Sequence, residues 1–475
     1  TLTVSGELAT NTISVAEEAT LTTTAADLLS DGATLTNDGF VNLGGDDTIT
    51  NLFGSTTGVV NLAGNNLLLI GGVDFQGRIN GDGGTVSTGP GDIILGGENT
   101  FTGDLVVLSG STSTLTGSVD GNVDVTTGGE LVLGSAERIA DGSSLNVDGI
   151  LNTNGEETVT SLTATGTING SGTVSALNTT LDGATVNANL GTGALTSDGA
   201  ADLNGESAAD TVNVASGTLT LDGALINNTA TVNVEAGTLA ANGTVAASSV
   251  NVAEGAALTT REAQRLNDGV ALNADGTVSL GGNETIGDLS GSGQVQNNGS
   301  DLTVTQTSDT VFSGNITGAG GLTKQGEAGF TLANGSDFTG DANINEGTLT
   351  VSGALATNTI NVANGATLTT TAADLLSDGA TLTNDGTLNL GGDDTITNLF
   401  GSETGTINLG VNNLLLLGGN HFEGRINGEG AVSAGPGDIN LGGDNTFTGD
   451  LTVLSGSTTT PVSYTHLTLP TKRIV

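Results

Sequence analysis

The chain contains a long internal duplication. Residues 1–112 return almost unchanged as residues 348–458, with a single-residue shift in alignment near Gly84. The copies differ by scattered substitutions, such as Phe40 in the first copy for Thr387 in the second, which indicates a diverged duplication. A long chain built from near-copies of a Gly- and Thr-rich segment is typical of a repeat array, in which each repeat stacks on its neighbours.

The last residues of the chain break this repeat. The likeness between the two copies stops at Pro461, and the string Val462–Thr471 is similar to the translation of a sequencing adapter. This tail also holds the only tyrosine, Tyr464, in an otherwise Tyr-free chain. We therefore expect residues 462–475 to be a non-native tail, excluded from fold reasoning, and the chain to be a fragment of a longer protein.

The composition makes the chain strongly acidic. It has 51 Asp and Glu residues against 8 Lys and Arg, and two of the basic residues lie in the tail, which leaves a net charge of −45 for residues 1–461. Such a surface repels nucleic-acid phosphates and anionic lipid, so we expect neither as a partner. The absence of cysteine excludes a disulfide partner and any Cys-based metal site.

The local pattern is that of β-strands. Thr211–Leu219, Thr231–Leu239 and Ser249–Gly255 repeat a motif in which Val and Leu alternate with Thr and Asn, and they begin 20 and 18 residues apart. Alternation of this kind is typical of half-buried strands, and one turn of a parallel β-helix has about this length. Aromatic residues are only 2% of the chain. This low content fits the narrow core of a solenoid better than it fits the larger aromatic core of a β-sandwich. The sequence predicts an all-β parallel β-helix, a β-solenoid, in the form of a rod.

A larger repeat is superimposed on this period. Paired Asp-Gly turns, seven residues apart, mark it, and no Pro-rich linker interrupts the chain. The first turn of each pair begins at Asp31, Asp141, Asp268 and Asp378. We therefore predict one continuous solenoid over residues 1–461, with modules near 1–112, 113–230, 231–347 and 348–461.

A second repeated element begins at Phe75, Phe312 and Phe422, and each copy is followed by Phe-Thr-Gly-Asp. The middle copy contains Gly-Gly-Leu-Thr-Lys-Gln-Gly at 320–326, Phe-Thr-Gly at 338–340 and Gly-Thr-Leu at 347–349. This resembles the passenger-associated transport repeat of autotransporters, G-x-L-x-K-x-G followed by [FY]-T-G and G-T-L. The other two copies lack the Leu-Thr-Lys portion.

The resemblance covers most of residues 1–461 and is strongest near 312–349. It implies a right-handed β-helix passenger that a C-terminal outer-membrane barrel carries to the Gram-negative cell surface, from which it can be secreted. It implies no catalytic role. We therefore expect a non-enzymatic adhesin, stalk or spacer whose partners are its own barrel and an unknown host, cell-surface or carbohydrate ligand.

Three acidic pairs could supply calcium ligands or acid–base chemistry: Asp46–Asp47, Glu156–Glu157 and Asp393–Asp394. Each follows or overlaps a Gly-containing turn, so we interpret them as solvated turn carboxylates, with weak, diffuse calcium binding as the alternative. The tandem Gly- and Asp-rich nonapeptides of a calcium roll are absent from the sequence. We predict no catalytic, cofactor-binding or metal-binding residue, and no cofactor.

The alternative function is enzymatic, since β-helices also form polysaccharide lyases and glycosidases. A glycosidase needs two placed carboxylates, and a chain this acidic supplies pairs by chance. Arg78 and Arg425 are equivalent residues of the two copies, and His421 replaces Asp74. These are features of a repeat surface, so a fragment of a β-helical polysaccharide-degrading enzyme is the second interpretation.

Overall fold

The computed structural model describes residues 1–461, and the predicted tail at 462–475 lies outside the described residues. Every regular element in the described part is a β-strand, and the strands stack in parallel as about 24 turns of a β-solenoid. The predicted all-β solenoid is therefore confirmed. The described residues contain no helix that is long and apolar enough to cross a membrane.

The described residues form two compact units. The first comprises residues 1–232 and 237–239, and the second comprises residues 233–236 and the described residues from 240 onward. The four modules drawn from the Asp-Gly turns stay a prediction. Strands Thr231–Val234 and Thr238–Ala241 include residues of both units.

In the first unit the strands form three ladders, in which each strand pairs with the equivalent strand of the next turn. The first ladder contains Leu2–Val4, Thr20–Thr23, Phe40–Asn42, Val59–Asn61, Arg78–Gly81, Glu98–Phe101 and Ser118–Val119. The second contains Thr12–Val15, Thr34–Asn37, Asn51–Gly54, Val73–Phe75, Gly91–Leu95, Ser111–Leu115, Glu130–Leu133, Ile150–Thr153, Thr167–Gly170, Thr185–Val186, Ala201–Leu203 and Thr218–Leu221. The third contains Asp47–Ile49, Leu67–Leu69, Val86–Thr88, Leu105–Val107, Val123–Val125, Ser144–Val147, Glu156–Ala164, Thr173–Leu181, Asn189–Leu190, Ala194–Asp198 and Thr211–Ser216.

The second unit has the same kind of parallel ladders. One contains Ser249–Val252, Ala271–Ala274 and Leu289–Ser290, and another contains Ala257–Thr260, Thr277–Ser279, Gln294–Gln296, Asn315–Gly318 and Asp337–Phe338. A third contains Glu284–Ile286, Leu302–Thr305, Leu322–Gln325, Ala342–Ile344, Thr359–Val362, Thr381–Asn384, Asn398–Gly401, Asn420–Phe422, Gly437–Leu441 and Ser457–Pro461. The remaining two contain Thr310–Phe312, Gly329–Leu332, Thr348–Val351, Thr367–Thr370, Thr387–Asn389, Thr406–Asn408, Arg425–Gly428 and Thr446–Phe447, and Asp394–Ile396, Leu414–Leu416, Val432–Ala434 and Leu451–Val453.

Side-chain alternation fixes which residues form the core. Leu21, Val41, Val60 and Ile79 are direct partners on four successive turns, and all four are buried. The residues beside them in each strand are at least partly exposed, except Val59, which is buried as well. Because the side-chain period is two, a slip of one residue would exchange the two faces, so this apolar row sets the register.

The repeated phenylalanines do not form one stacked row in the core, because Phe75 and Phe101 lie in different ladders. Phe75 and Phe312 are fully buried, and each lies beside a glycine of the preceding turn: Gly54 for Phe75 and Gly291 for Phe312. A Cβ atom on Gly54 would lie 2.9 Å from the Phe75 ring. The glycine therefore makes room for the ring, which explains why Phe and Gly recur together in the repeat.

A column of glycines lines one corner of the first unit. It contains Gly58, Gly77, Gly97 and Gly117. A Cβ atom on Gly77 would lie 2.2 Å from the carbonyl oxygen of Gly58, and one on Gly117 would lie 1.7 Å from that of Gly97. Successive turns thus approach each other backbone to backbone at this corner, which only glycine allows.

Candidate functional site

The structure separates the two members of each predicted acidic pair. The exposed members are Asp46, Glu156 and Asp393, and the buried members are Asp47, Glu157 and Asp394. The buried side chains retain 1% to 3% of their full exposure. The interpretation of all six as solvated turn carboxylates is therefore wrong for the second member of each pair.

A fourth buried acid, Glu284, occupies the equivalent place and is 1% exposed. Its exposed neighbour is an amide, Asn283, so the sequence contains no acidic pair there. We call Asp47, Glu157, Glu284 and Asp394 the corner acids. Each lies two residues before a buried Ile or Val of the same strand, so alternation directs its side chain inward as well.

Each corner acid faces a loop of the preceding turn, which we call the corner loop. The four corner loops contain Asp27–Leu29, Glu137–Ile139, Gln264–Leu266 and Asp374–Leu376. One residue of this loop has a left-handed backbone: Asp27 (φ 53°), Glu137 (φ 52°), Gln264 (φ 53°) or Asp374 (φ 52°). The N–H of Asp27 donates to the carbonyl of Asp46 at 2.9 Å, and the N–H of Asp374 donates to that of Asp393 at 3.0 Å. This conformation turns the next backbone amides toward the corner acid, as in backbone nests that bind anions.

The two glutamates each bind two amides of the corner loop. Glu157 accepts from the N–H of Arg138 through Oε2 at 2.9 Å and from the N–H of Ile139 through Oε1 at 2.7 Å. Glu284 makes the same two contacts at 2.9 and 3.2 Å. Both carboxylate oxygens are therefore engaged with backbone donors of the neighbouring turn.

The two aspartates are one methylene shorter and reach less far. Asp47 accepts from the N–H of Leu29 through Oδ2 at 3.3 Å, and its other oxygen accepts from the N–H of Thr48, its own neighbour, at 3.1 Å. Asp394 repeats this arrangement at 3.4 and 2.9 Å. The same fold position is thus filled by either acid, with one cross-turn bond in place of two.

Burial raises the pKa of every corner acid, because the charged form loses its contact with water. The pKa of Asp47 and of Asp394 is raised to about 6, and that of Glu157 to about 7; desolvation is the largest cause in each case, and the backbone hydrogen bonds oppose it. Glu284 is shifted in the same direction for the same reason. A raised carboxyl pKa is common in catalytic acids, but these groups bind the backbone.

A groove beside Asp394 is lined in part by Asp374, Asp393, Asn413 and Leu454. Asp393 does not offer a free carboxylate there. Its Oδ1 accepts from the backbone N–H of Asn413 at 2.7 Å and its Oδ2 from the side-chain Nδ2 of the same residue at 3.1 Å, and these bonds lower its pKa. The pair Asp393–Asp394 is therefore held by structural contacts, one member outside the core and one inside.

Lys324 of the repeat that resembles the autotransporter motif is completely buried. Its Nζ donates to the carbonyl oxygens of Gln325 (2.9 Å), Gly326 (2.6 Å) and Glu346 (3.1 Å). Burial lowers the pKa of the ammonium group, and nearby acids, Glu346 first among them, oppose this shift. The lysine ties two successive turns together, and its partners leave no donor directed outward.

The remaining polar residues named in the sequence lie on the surface. Arg78 and Arg425 are exposed at equivalent positions. His421 contacts Glu423 Oε1 through Nε2 at 3.2 Å and Asn440 Nδ2 through Nδ1 at 3.1 Å. None of these side chains is directed at a corner acid.

Among the residues that the structure describes, no group of three or more His, Asp or Glu side chains is placed to hold a metal ion. The predicted absence of a catalytic or metal site stays a prediction. Comparison of the chain with models of protein families, with curated proteins and with solved structures found no significant match.

Proposed function

We propose that the chain is a non-enzymatic β-solenoid passenger of an autotransporter. In this proposal it is displayed on the surface of a Gram-negative cell, or secreted from it, and acts as an adhesin, stalk or spacer. The residues that resemble the transport repeat support it. Phe312 and Phe338 are buried beside glycines, and Lys324 binds three carbonyls, so all three serve coil stacking.

One observation carries the proposal furthest. The carboxyl groups with the most raised pKa values, which are the first candidates for acid–base chemistry, each bind backbone amides. Their oxygens accept hydrogen bonds from backbone amides of the solenoid. The corner acids, which would be the first candidates for an active site in an enzyme, therefore cap the corner loops in this proposal.

The proposed partners follow from the resemblance to the transport repeat of autotransporters. A C-terminal barrel in the outer membrane would carry the chain, and a host, cell-surface or carbohydrate ligand would contact it. A net charge of −43 keeps such a passenger from adhering to nucleic acid and anionic lipid, which suits a stalk or spacer that must stay extended from the cell.

Surface display tests the proposal. We expect that the full chain, placed between a signal peptide and an autotransporter barrel in a Gram-negative host, is reached by antibody and by protease added to intact cells. The control carries the signal peptide without the barrel and stays inaccessible until the cells are lysed. Equal inaccessibility of both would contradict the passenger proposal.

The same purified chain distinguishes the enzymatic alternative. Incubated with neutral and uronate-containing polysaccharides, it should release neither new reducing ends nor unsaturated products above the buffer control. Product release that the double substitution D393N/D394N abolishes would favour a polysaccharide-degrading enzyme instead.

A further inference from the structure

The corner acids are the buried carboxyl groups of the solenoid, and none has a cationic partner. Within residues 1–461, the ion pairs join Arg265 to Glu262 and His421 to Glu423, and neither includes a corner acid. Buried carboxylates of proteins usually have a charged or metal partner, because an isolated charge is costly to remove from water. One or two neutral amides replace only part of that lost hydration.

In the first unit, neighbouring carboxylates face both corner acids and make their ionisation harder. Asp47 is faced by the carboxylates of Asp27 and Asp31, which repel its negative form. Glu157 is faced by Glu137, which repels it, and by Arg138, which attracts it more weakly than burial destabilises it. The guanidinium of Arg138 instead donates through Nε to the hydroxyl of Ser135 at 2.9 Å.

The second unit repeats this arrangement. Asp394 is faced by Asp374 and Asp378, the equivalents of the two aspartates around Asp47. Glu284 has a hydrogen bond to the Thr260 side chain and a weak attraction from Arg265. Each unit therefore contains one aspartate whose charged neighbours are all carboxylates and one glutamate beside an arginine that does not form an ion pair with it.

We infer that folding of each solenoid unit consumes protons at its two corner acids, so that the folded state is favoured by mild acid and weakened above neutrality. In the unfolded chain these carboxyls are hydrated and ionise normally. In the folded unit they are buried, and three of the four also face like charges, so the ionised form is less favoured there than in the unfolded chain. The fold therefore contains a proton-linked stability switch that is repeated in every corner loop.

The sign and pH window follow from the direction of the shifts. A carboxyl whose pKa is higher in the folded state stabilises the fold fully below its unfolded pKa, and this stability is lost as the pH rises through the folded pKa. The window therefore runs from the ordinary carboxyl values of 3.8 and 4.5 up to about 6 for Asp47 and Asp394 and about 7 for Glu157. Half-buried aspartates with lowered pKa, such as Asp38 and Asp275, titrate at or below the lower edge of this window, and their shift has the opposite sign.

Proton uptake on refolding measures the switch directly. At pH 6, Asp47 and Asp394 should be about half protonated in the folded chain and Glu157 about nine-tenths, against almost none in the unfolded chain. These three acids should therefore take up about two protons per chain, and Glu284 adds to that number. Refolding calorimetry of the full chain in two buffers with different ionisation enthalpies gives this number. Uptake below about half a proton would overturn the inference.

The acidic pairs supply a matched control. The triple substitution D47N/E157Q/D394N removes three buried charges, and D46N/E156Q/D393N removes three exposed charges from the adjacent positions. The buried triple should take up less than about one proton and lose most of the fall in melting temperature between pH 5 and pH 8, whereas the exposed triple should keep both. Equal uptake in the two triples would contradict the inference.

Single substitutions keep the test decisive if the buried triple does not fold. Glu157→Gln should lower proton uptake at pH 6 by about 0.9 and Glu156→Gln by about none. The same uptake in both single variants would place the titrating groups elsewhere and overturn the assignment to the corner acids.

Discussion

Replacement of Gly77 by alanine will lower the free energy of unfolding of the first unit by about 3 kcal/mol, the upper part of the range for overpacked cores. The added methyl would lie 2.2 Å from the Gly58 carbonyl oxygen and 2.6 Å from the Phe75 ring. The oxygen belongs to the backbone of the preceding turn and has no freedom to move aside. Urea unfolding followed by circular dichroism measures the change.

Gly32 provides the control, because a Cβ atom there has no neighbour within 4 Å. Gly32→Ala should change stability by less than about 1 kcal/mol, in the stabilising direction, because alanine restricts the unfolded chain. Gly424 of the second copy, 2.2 Å from the Gly405 oxygen by the same construction, should behave like Gly77. Equal effects at Gly77 and Gly32 would mean that the turns do not approach this closely.

Substitution of Lys324 by methionine should destabilise the second unit by about 3 kcal/mol, because buried carbonyls lose their donor. The stem of methionine fills the same volume, so the loss reports the hydrogen bonds to Gly326 and Glu346 rather than a cavity. Thermal unfolding at neutral pH measures it.

Two equivalent positions show how the core is built without this lysine. Thr88 is fully buried at the corresponding place in the first unit, and its hydroxyl accepts from Ser113, which in turn contacts Ser111. The second copy has Ala434 there.

The control for Lys324→Met is Thr303→Val, on the outward face of the neighbouring strand, where we expect a change in stability within about 0.5 kcal/mol. An equally small effect for Lys324→Met would show that the carbonyls find other donors.

The fold could be predicted from the sequence because its signals are local and repeated. The alternation in Thr211–Leu219, and its return 20 residues later, determine both the strand and the turn length. Each turn packs mainly on its neighbours, so short-range periodicity carries most of the information that a globular core would spread over distant segments.

The corner acids were missed for a physical reason. Adjacent acids next to glycine are typical of solvated turns, and that interpretation fits Asp46 and Asp393. The alternation within the strand contradicts it for Asp47, which lies two residues before Ile49, so that both side chains face the core. The corner loop that receives the acid comes from the previous turn, 18 residues earlier, and its left-handed residue at Asp27 has no sequence signal comparable to glycine.

The placement of the aromatic residues also depended on the fold. The repeat spacing shows that Phe75 and Phe101 recur together but does not show that they belong to different ladders. Only the pairing of each ring with a glycine of the preceding turn, Gly54 and Gly81, reveals how a narrow solenoid accommodates them.

Disulfide trapping tests the parallel, in-register stacking on which the whole account depends. The chain has no cysteine, so no native thiol competes with the introduced pair. Thr367 and Thr387 are direct partners on adjacent turns, and strands about 4.8 Å apart bring their Cα atoms within disulfide range. The pair Thr367→Cys/Thr387→Cys should oxidise readily in the folded protein. Thr367→Cys/Asn389→Cys, offset by two residues and about 8 Å apart, should oxidise at least about tenfold more slowly. Equal rates, or faster closure of the offset pair, would contradict the stacked solenoid.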